Sequence, residues 1–280
     1  MEFSIVKAST DLGVHVNGAD FGALKITALD KLAKEVHVIK KNDVKKQLDK
    51  DNKAKNMKEV NIFNQKLYDC ILNCKYFVIT LGGDHSMAIS SSLASLKKNE
   101  HLGIIWIDAH SDYHTLESTI TGNIHGMPLA TINGLNKELS SFFTGSYISP
   151  KNTVIVGARD IESGEYINLK KEGVTVFTTE DIKKEGVEKI MEKAFSIASI
   201  NTNKVHISYD LDVIDPEIAP GVSVKAKEGI NKEEAFEIMN FIRNKKDLVK
   251  SLDLVEYNPL NDKNDETLKI AETLLNIFIK

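Results

Sequence analysis

The sequence predicts a three-layer α/β/α fold with a mostly parallel central sheet of about eight strands. Short runs of almost wholly apolar residues recur along the chain, which is typical of parallel strands buried on both faces. Helical patterns separate most of these runs, as the crossovers of a parallel sheet require. Polar motifs directly follow several runs, at the strand ends where α/β folds bind their ligands. We expect one domain of this class over residues 1–280.

The predicted elements alternate along the chain. The strand-like runs are Phe3–Lys7, Glu35–Ile39, Phe77–Leu81, Gly103–Asp108, Thr153–Gly157, Val174–Phe177, Lys204–Asp210 and Ser251–Val255. The helical patterns are Asn61–Asn73, Ser86–Lys98, Ser163–Lys171, Gly186–Ser199, Lys232–Arg243 and Glu266–Ile279. The stretch Lys40–Lys58 is polar, lysine-rich and aperiodic, and we interpret it as a solvated loop or a surface helix.

Composition and charge exclude several classes of protein. The chain has 280 residues, of which 42% are hydrophobic and 27% charged, as in ordinary globular proteins. Its net charge of -4 gives no general attraction for nucleic acids or anionic membranes. Its apolar runs are shorter than the roughly 20 residues that span a bilayer. We therefore expect neither a nucleic-acid partner nor a membrane partner.

The N-terminus and the cysteines predict a cytoplasmic location. The segment Met1–Val6 lacks a basic region followed by a long apolar region, so we expect no export signal. Cysteine is sparse, as in proteins of reducing compartments. The chain contains Cys70 and Cys74, one turn apart on a predicted helix. We interpret them as small apolar side chains of a helix face, with a metal or redox role as the alternative.

Three short motifs carry candidate metal ligands. Asp108-Ala-His110-Ser-Asp112 and Asp210-Leu-Asp212 each follow an apolar strand, and Gly82-Gly-Asp-His85-Ser follows another. Residues two apart in an extended chain point to the same side, about 6.6 Å from one another, so the carboxylates and imidazoles converge. Asp-x-Asp or Gly-Gly-Asp-His alone is most often a turn or a helix cap, and Asp-x-His-x-Asp alone is only a moderate signal of a metal site. Together they predict a site for divalent cations, which relieve the repulsion between clustered carboxylates.

The chemistry of the candidate ligands narrows the choice of metal. The set is rich in carboxylates, contains two imidazoles and lacks a thiolate: His85, Asp108, His110, Asp112, Asp210 and Asp212. Such a set suits Mn²⁺ better than a structural zinc site. It is also larger than one catalytic ion with an open position needs. Two ions about 3.5–4 Å apart that share carboxylates fit the number of ligands.

The three motifs together resemble the signatures of the ureohydrolases, the family that includes arginase, agmatinase, guanidinobutyrase and formiminoglutamase. The resemblance extends from about Tyr76 to the C-terminus and includes Ser208–Pro216. It implies a hydrolase that cleaves a guanidino or formimino C–N bond with a hydroxide supplied by two Mn²⁺ ions per subunit, and a homo-oligomer, either a trimer or a hexamer. One ion would be held by His85, Asp108, Asp112 and Asp210, and the other by Asp108, His110, Asp210 and Asp212.

Two further segments resemble the substrate-binding parts of the arginases. Thr121–Pro128 is similar to the loop whose hydroxyl and asparagine bind the α-carboxylate of the substrate, which implies this role for Thr121 and Asn123. Both side chains donate hydrogen bonds without adding charge. Gly157–Glu165 is similar to the segment that meets the α-amino group, where Glu162 replaces the more usual aspartate.

The resemblance also implies three catalytic residues. His125 matches the histidine that shuttles protons at the mouth of the site, a task that suits an ordinary imidazole. Glu256 would pair with the guanidinium of the substrate through two charge-assisted hydrogen bonds. Asp112 would deliver a proton to the leaving amine.

Two positions depart from the arginase pattern. His114 stands where arginases usually carry an asparagine that contacts the substrate carboxylate; because a histidine also donates, His114 stays a candidate for substrate binding. Val224 replaces a threonine that often faces the guanidinium, within a Gly-Val-Ser context typical of formiminoglutamases. We predict hydrolysis of L-arginine to L-ornithine and urea. The alternatives are a related ureohydrolase acting on formiminoglutamate, agmatine or another guanidino compound, and an inactive metal-binding homologue.

Overall fold

A computed structural model describes residues 1–44, 46 and 52–280 of the protein. Its strands are β1 Phe3–Ser9, β2 Glu35–Lys40, β3 Phe77–Gly82, β4 Gly103–Ile107, β5 Thr153–Ala158, β6 Thr175–Thr178, β7 Val205–Asp210 and β8 Val249–Val255. They form one eight-stranded sheet in the order β2-β1-β3-β8-β7-β4-β5-β6. Every pairing between neighbours is parallel. The predicted parallel sheet of about eight strands is confirmed.

The helices are α1 Ala19–Lys25, α2 Met57–Asn73, α3 Ala88–Asn99, α4 Pro128–Ile132, α5 Ser163–Glu172, α6 Thr179–Glu185, α7 Val187–Ala198, α8 Lys232–Asn244 and α9 Glu266–Ile279. All six predicted helices are present. Helices α1, α4 and α6 were not predicted, because at five to seven residues they are too short to show a helical period.

The stretch Lys40–Lys58, interpreted as a loop or a surface helix, begins in β2 and ends in α2. Residues 45 and 47–51 of this stretch lie outside the described residues.

Two hydrophobic cores fill the space between the sheet and its helices. Successive residues of β4 alternate between them: Ile105 and Ile107 belong to one core, and Ile104 and Trp106 belong to the other. Helices α7, α8 and α9 contribute to the first core, and α2 and α3 to the second. Double burial explains why the strands are apolar throughout. With helices on both faces of the sheet, the fold has the three layers that the sequence predicts. The carboxyl ends of the strands are left to form a site.

Candidate metal centre and active site

Four adjacent strands bring the sequence motifs together. The central part of the sheet runs β3-β8-β7-β4. At their carboxyl ends these strands are followed by His85, Glu256, Asp210 and Asp108 respectively, with Asp210 the last residue of its strand. Because the strands are parallel, all four residues lie at one edge of the sheet.

His85 faces three carboxylates with a single ring nitrogen. Its Nδ1 lies 3.1 Å from Oδ2 of Asp108, 3.2 Å from Oδ2 of Asp112 and 3.0 Å from Oδ2 of Asp210. The other ring nitrogen, Nε2, lies 2.8 Å from the hydroxyl of Ser208. Although it is buried, Nδ1 makes no hydrogen bond with the described residues. A buried imidazole nitrogen that has no hydrogen bond and faces three carboxylates is suited to bind a metal ion. The contact of the other ring nitrogen with Ser208 would hold the ring in position, as is usual for histidine ligands.

A second group of ligands shares Asp108 with the first. His110 Nδ1 lies 3.5 Å from Oδ1 of Asp108 and 3.0 Å from Oδ2 of Asp212. The potential ligand atoms of these three residues lie within 4.8 Å of one another, as do those of His85, Asp108 and Asp210. The two oxygens of Asp108 therefore face different groups. Asp210 lies in the group of His85, and its predicted sharing between two ions stays a prediction.

Hydrogen bonds from the local backbone hold the carboxylates in place. The amide of His110 donates to Asp108 Oδ1 at 2.7 Å, and the amide of Asp212 donates to Asp210 Oδ1 at 2.8 Å. Trp106 Nε1 donates to Asp108 Oδ2 at 2.8 Å. The backbone of Asp112 is left-handed, with a φ of 51°. A non-glycine residue held in this conformation is typical of a functional site.

The electrostatics of the cluster favour a bound cation. Burial, followed by the charges of Asp212 and Asp108, raises the pKa of Asp210 well above its usual range. Burial and the charge of Asp108 raise the pKa of Asp112 to about 7. Burial acts to lower the pKa of His85, but its carboxylate neighbours outweigh burial and raise that pKa well above the ordinary value. The cluster thus favours added positive charge, and divalent cations with carboxylate and imidazole ligands fit it.

A cavity of about 190 Å³ opens above the two ligand groups. Its lining includes the ligands His85, His110, Asp112, Asp210 and Asp212, and also the other predicted site residues His114, Thr121, Asn123, His125, Glu162 and Glu256. All the predicted substrate-binding and catalytic residues therefore meet at one cavity. His15, Asp160, Glu165 and Val224 also line it. Of these, His15 had no signal in the sequence, because it lies far from every motif.

Glu256 lines this cavity, and one of its carboxylate oxygens has no hydrogen-bond partner within the described residues. Its Oε1 accepts a hydrogen bond from the amide of His85 at 2.8 Å and lies 3.4 Å from Nδ1 of His125. Its Oε2 is buried and makes no hydrogen bond within the described residues. Burial acts to raise the pKa of Glu256, but the contacts with His125 and His85 outweigh it and keep that pKa below its ordinary value. The side chain is thus an ionised carboxylate with one oxygen free for a cationic ligand.

Thr121 and Asn123 lie on the loop that precedes α4, at another side of the cavity. The Thr121 hydroxyl accepts a hydrogen bond from the amide of Asn123 at 3.2 Å. The side-chain amide of Asn123 lies 2.9 Å from Nδ1 of His15. Between them Gly122 has a φ of +71°, and a Cβ there would lie 1.9 Å from the carbonyl oxygen of Asn52, so the turn needs glycine. The loop aims polar donors into the cavity and adds no charge.

His114 and Glu162 lie against each other. His114 Nε2 is 3.2 Å from Oε2 of Glu162 and 3.7 Å from Oε2 of Glu165. Glu165 is itself fixed, because its Oε1 accepts hydrogen bonds from the Ser111 hydroxyl at 2.6 Å and from a backbone amide at 3.0 Å. The two departures from the family pattern at this side of the cavity thus form one polar pair.

Comparison with known proteins agrees with the fold and the site. The model of the Arginase family matches residues 1–279. The arginase of Bacillus subtilis (strain 168) is 34% identical over 284 aligned residues, covering 97% of this chain and 95% of the relative. The arginase of Plasmodium falciparum is 40% identical over 240 residues, which make up 83% of this chain but 58% of the relative.

Solved structures agree as well. The structure of Entamoeba histolytica arginase in complex with L-ornithine superposes with a TM-score of 0.91 at 29% sequence identity, and the match covers 99% of this chain and 98% of that one. None of the helices in the described part of the chain is long and apolar enough to cross a membrane. On the family match and these relatives, the chain belongs to the arginase family of hydrolases.

Proposed function

We propose that the protein hydrolyses the guanidino C–N bond of L-arginine to give L-ornithine and urea. The observation that carries the proposal is the buried Oε2 of Glu256, which makes no hydrogen bond within the described residues, on a side chain that lines the same cavity as the carboxylate and imidazole cluster. A planar guanidinium is the cation that a carboxylate in such a setting binds best, through a two-pronged hydrogen bond. The relatives named arginase support this substrate.

We propose two Mn²⁺ ions as the cofactor. His85, Asp108, Asp112 and Asp210 would hold one, and Asp108, His110, Asp210 and Asp212 the other. The donor set supports the assignment, since its carboxylates and imidazoles suit Mn²⁺. When bound, the metal ions would supply a hydroxide nucleophile at neutral pH by lowering the pKa of water.

The residues around the cavity have separate tasks in this mechanism. Glu256 orients the guanidinium so that its central carbon faces the metal ligands. The amine that leaves the tetrahedral carbon needs a proton, and Asp112 carries it. His125 exchanges protons between the cavity and solvent, because its side chain is partly exposed at 17% and lies beside Glu256.

The remaining residues bind the amino-acid end of the substrate. Thr121 and Asn123 donate hydrogen bonds to the α-carboxylate. Glu162 and His114 lie at another side of the cavity, where Glu162 accepts from the α-amino group and His114 holds Glu162 in position. Agmatine has no carboxylate, so the donors of the loop would lose their partner.

A second candidate is hydrolysis of formiminoglutamate. Val224 lines the cavity at the place where a threonine often faces the guanidinium, and its apolar side chain offers no hydrogen bond there. A formimino group has one nitrogen fewer than a guanidinium and needs one hydrogen-bond partner fewer.

We further propose that the protein acts in the cytoplasm, that each chain is one ureohydrolase domain, and that the chains form a homo-oligomer, either a trimer or a hexamer.

The test is turnover of arginine, agmatine, guanidinobutyrate and formiminoglutamate by the manganese-loaded protein, each at the same concentration. Urea release follows the first three substrates, and formamide release follows the fourth. We expect the highest kcat/KM with arginine. Faster turnover of formiminoglutamate would transfer the proposal to the second candidate. No turnover of any of the four, with both metals bound, would contradict both and favour the inactive homologue.

A further inference from the structure

A second cluster of metal-ligating side chains lies away from the active site. Potential ligand atoms of Glu35, His37 and Cys74 lie within 4.8 Å of one another. Glu35 and His37 lie on β2, and Cys74 follows α2 directly. Glu35 is the first residue of its strand, and Cys74 lies just before β3 begins. The cluster is therefore at the amino-terminal edge of the parallel sheet, opposite the edge that carries the active-site cavity.

We propose that Glu35, His37, Cys70 and Cys74 bind a divalent cation of the zinc class. Cys70 lies one helical turn before Cys74 but outside the group whose ligand atoms lie within 4.8 Å, and it would supply the fourth ligand after rotation of its side chain. Two thiolates, one imidazole and one carboxylate make a four-ligand set of the kind that zinc takes in tetrahedral sites. The set differs in kind from the active-site cluster, which has no sulfur ligand.

The spacing of the ligands suits such an ion. Bonds of about 2.0–2.3 Å in a tetrahedral zinc site put neighbouring donor atoms about 3.3–3.8 Å apart. His37 Nε2 and Glu35 Oε2 lie 3.8 Å apart, and the limit of 4.8 Å for the set leaves small side-chain rotations to close the site. His37 is 44% exposed and Glu35 22% exposed, whereas Cys74 is buried. An ion can therefore enter from solvent and meet the thiols beneath.

Outer contacts already hold one of the ligands, Glu35. The Ser4 hydroxyl donates to Glu35 Oε2 at 2.7 Å, and the amide of Lys75 donates to the same oxygen at 3.3 Å. Carboxylates that bind metals are commonly oriented by such partners.

A bound ion would have a structural effect. Strand β2 is the last strand of the sheet on its side and pairs only with β1. An ion held by Glu35 and His37 on one side and by Cys70 and Cys74 on the other would tie this edge strand to the end of α2. Because a cation that binds the folded chain stabilises it by mass action, the edge would become harder to open.

Cobalt spectroscopy separates this site from the active site. The manganese-loaded, thiol-reduced protein is titrated with Co²⁺ alone, and the near-ultraviolet sulfur-to-cobalt charge-transfer band is recorded. Co²⁺ at the active-site cluster gives no such band, because its ligands are nitrogen and oxygen. We expect the band to appear with one equivalent per chain and to vanish when Zn²⁺ is added. Arginine turnover should not change between the parent and the variants at this site.

Variants at the four ligands define the site. Cys70→Ser and Cys74→Ser should each weaken the band, the double variant should abolish it, and His37→Ala and Glu35→Gln should weaken Co²⁺ binding at least tenfold. His101→Ala, at an exposed histidine before β4, is the control and should bind like the parent. In the unmutated chain, Zn²⁺ should slow the alkylation of the two thiols by iodoacetamide. Absence of the band, a band of full intensity in either single serine variant, a band that remains in the double variant, or alkylation that Zn²⁺ does not slow would overturn the proposal.

Discussion

Glu256 Oε1 lies 3.4 Å from His125 Nδ1, and the backbone of Glu256 is left-handed with a φ of 65°. Burial acts to lower the pKa of His125, but Glu256 outweighs burial and raises it. Each side chain thus favours the charged form of the other. One contact therefore links the residue proposed to bind the guanidinium to the residue proposed to carry protons.

Replacement of Glu256 separates substrate binding from metal binding. Glu256→Gln keeps the shape of the side chain and removes its charge. We expect kcat/KM for arginine to fall roughly 30- to 5,000-fold, because a buried cation loses its charged partner. This corresponds to a loss of about 2–5 kcal/mol of transition-state stabilisation. Manganese content should stay at the parent level, since Glu256 belongs to neither ligand group.

Glu237→Gln, on the exposed face of α8, is the matched control and should behave like the parent. Steady-state kinetics and elemental analysis of the same preparations make the measurement. Near-normal activity in Glu256→Gln would mean that Glu256 is merely a strand-end carboxylate held by local hydrogen bonds. Loss of manganese would mean that it acts as a metal ligand.

The same contact predicts a shift in the titration of His125. In the metal-free protein the pKa of His125 should lie above the ordinary value of 6.5, and it should fall in Glu256→Gln, where the strongest of the contacts that oppose burial is lost. The raised pKa stabilises the fold below about pH 6.5, and this contribution is lost as the pH rises through the folded value. Histidine NMR titrations measure both values, with His125→Asn to assign the signal. Equal values in parent and variant would show that Glu256 does not act on His125.

The carboxylate cluster should destabilise the metal-free chain. Burial and two neighbouring aspartates raise the pKa of Asp210, so its ionisation costs folding free energy as the pH rises above about 4. Asp210→Asn removes this charge and keeps the oxygen that accepts from the Asp212 amide. We expect the metal-free variant to melt above the metal-free parent at pH 7.5. With Mn²⁺ the order should reverse, because the parent alone gains full metal binding.

Melting curves with and without Mn²⁺, together with turnover, provide the measurement. Asp247→Asn, in the exposed turn before β8, controls for the loss of one acidic charge. The dimetal assignment does not survive if Asp210→Asn binds two equivalents of manganese and turns over arginine like the parent.

Trp106 offers a direct probe of the centre. It is the single tryptophan of the chain, its ring stacks on that of His85 with 3.9 Å between centroids, and its Nε1 donates to Asp108. Its fluorescence should therefore change as Mn²⁺ binds. Trp106→Phe keeps a stacking ring and removes the donor, so manganese affinity should fall about 10- to 100-fold. Affinity measured by equilibrium dialysis within twofold of the parent would show that this hydrogen bond does not tune the site.

The sequence predicts the strands and the ligand motifs because both depend on local patterns. Apolar runs fix the strands, and alternation along an extended segment fixes which of Asp108, His110 and Asp112 point together. Parallel topology then brings the strand ends together. The order of the strands in the sheet cannot be predicted from any one segment. The family resemblance implied this arrangement, which local patterns could not.

Other features depend on distant parts of the chain and had no local signal. The left-handed Glu256 is bonded to the segment after β3, since its amide donates to the Gly83 carbonyl oxygen at 2.9 Å and its side chain accepts from the amide of His85, 171 residues away in sequence. His15 reaches the cavity only because the loop after β1 folds over Asn123. The pair of His114 and Glu162 likewise requires two segments to meet. Sequence patterns identify candidate residues, whereas their pairing is set by packing.

Selectivity for arginine over agmatine tests the substrate loop. Thr121→Val and Asn123→Ala each remove one donor proposed to meet the α-carboxylate, at about 1–3 kcal/mol per group. Each should lower kcat/KM for arginine by roughly ten- to a hundredfold and leave that for agmatine nearly unchanged, since agmatine has no carboxylate. Thr131→Val, at a hydroxyl that donates to the Met127 carbonyl oxygen in α4 just after the loop, controls for local disturbance. A parallel loss for both substrates would show that the loop supports the fold of the cavity, and the arginine-specific role of Thr121 and Asn123 would then be wrong.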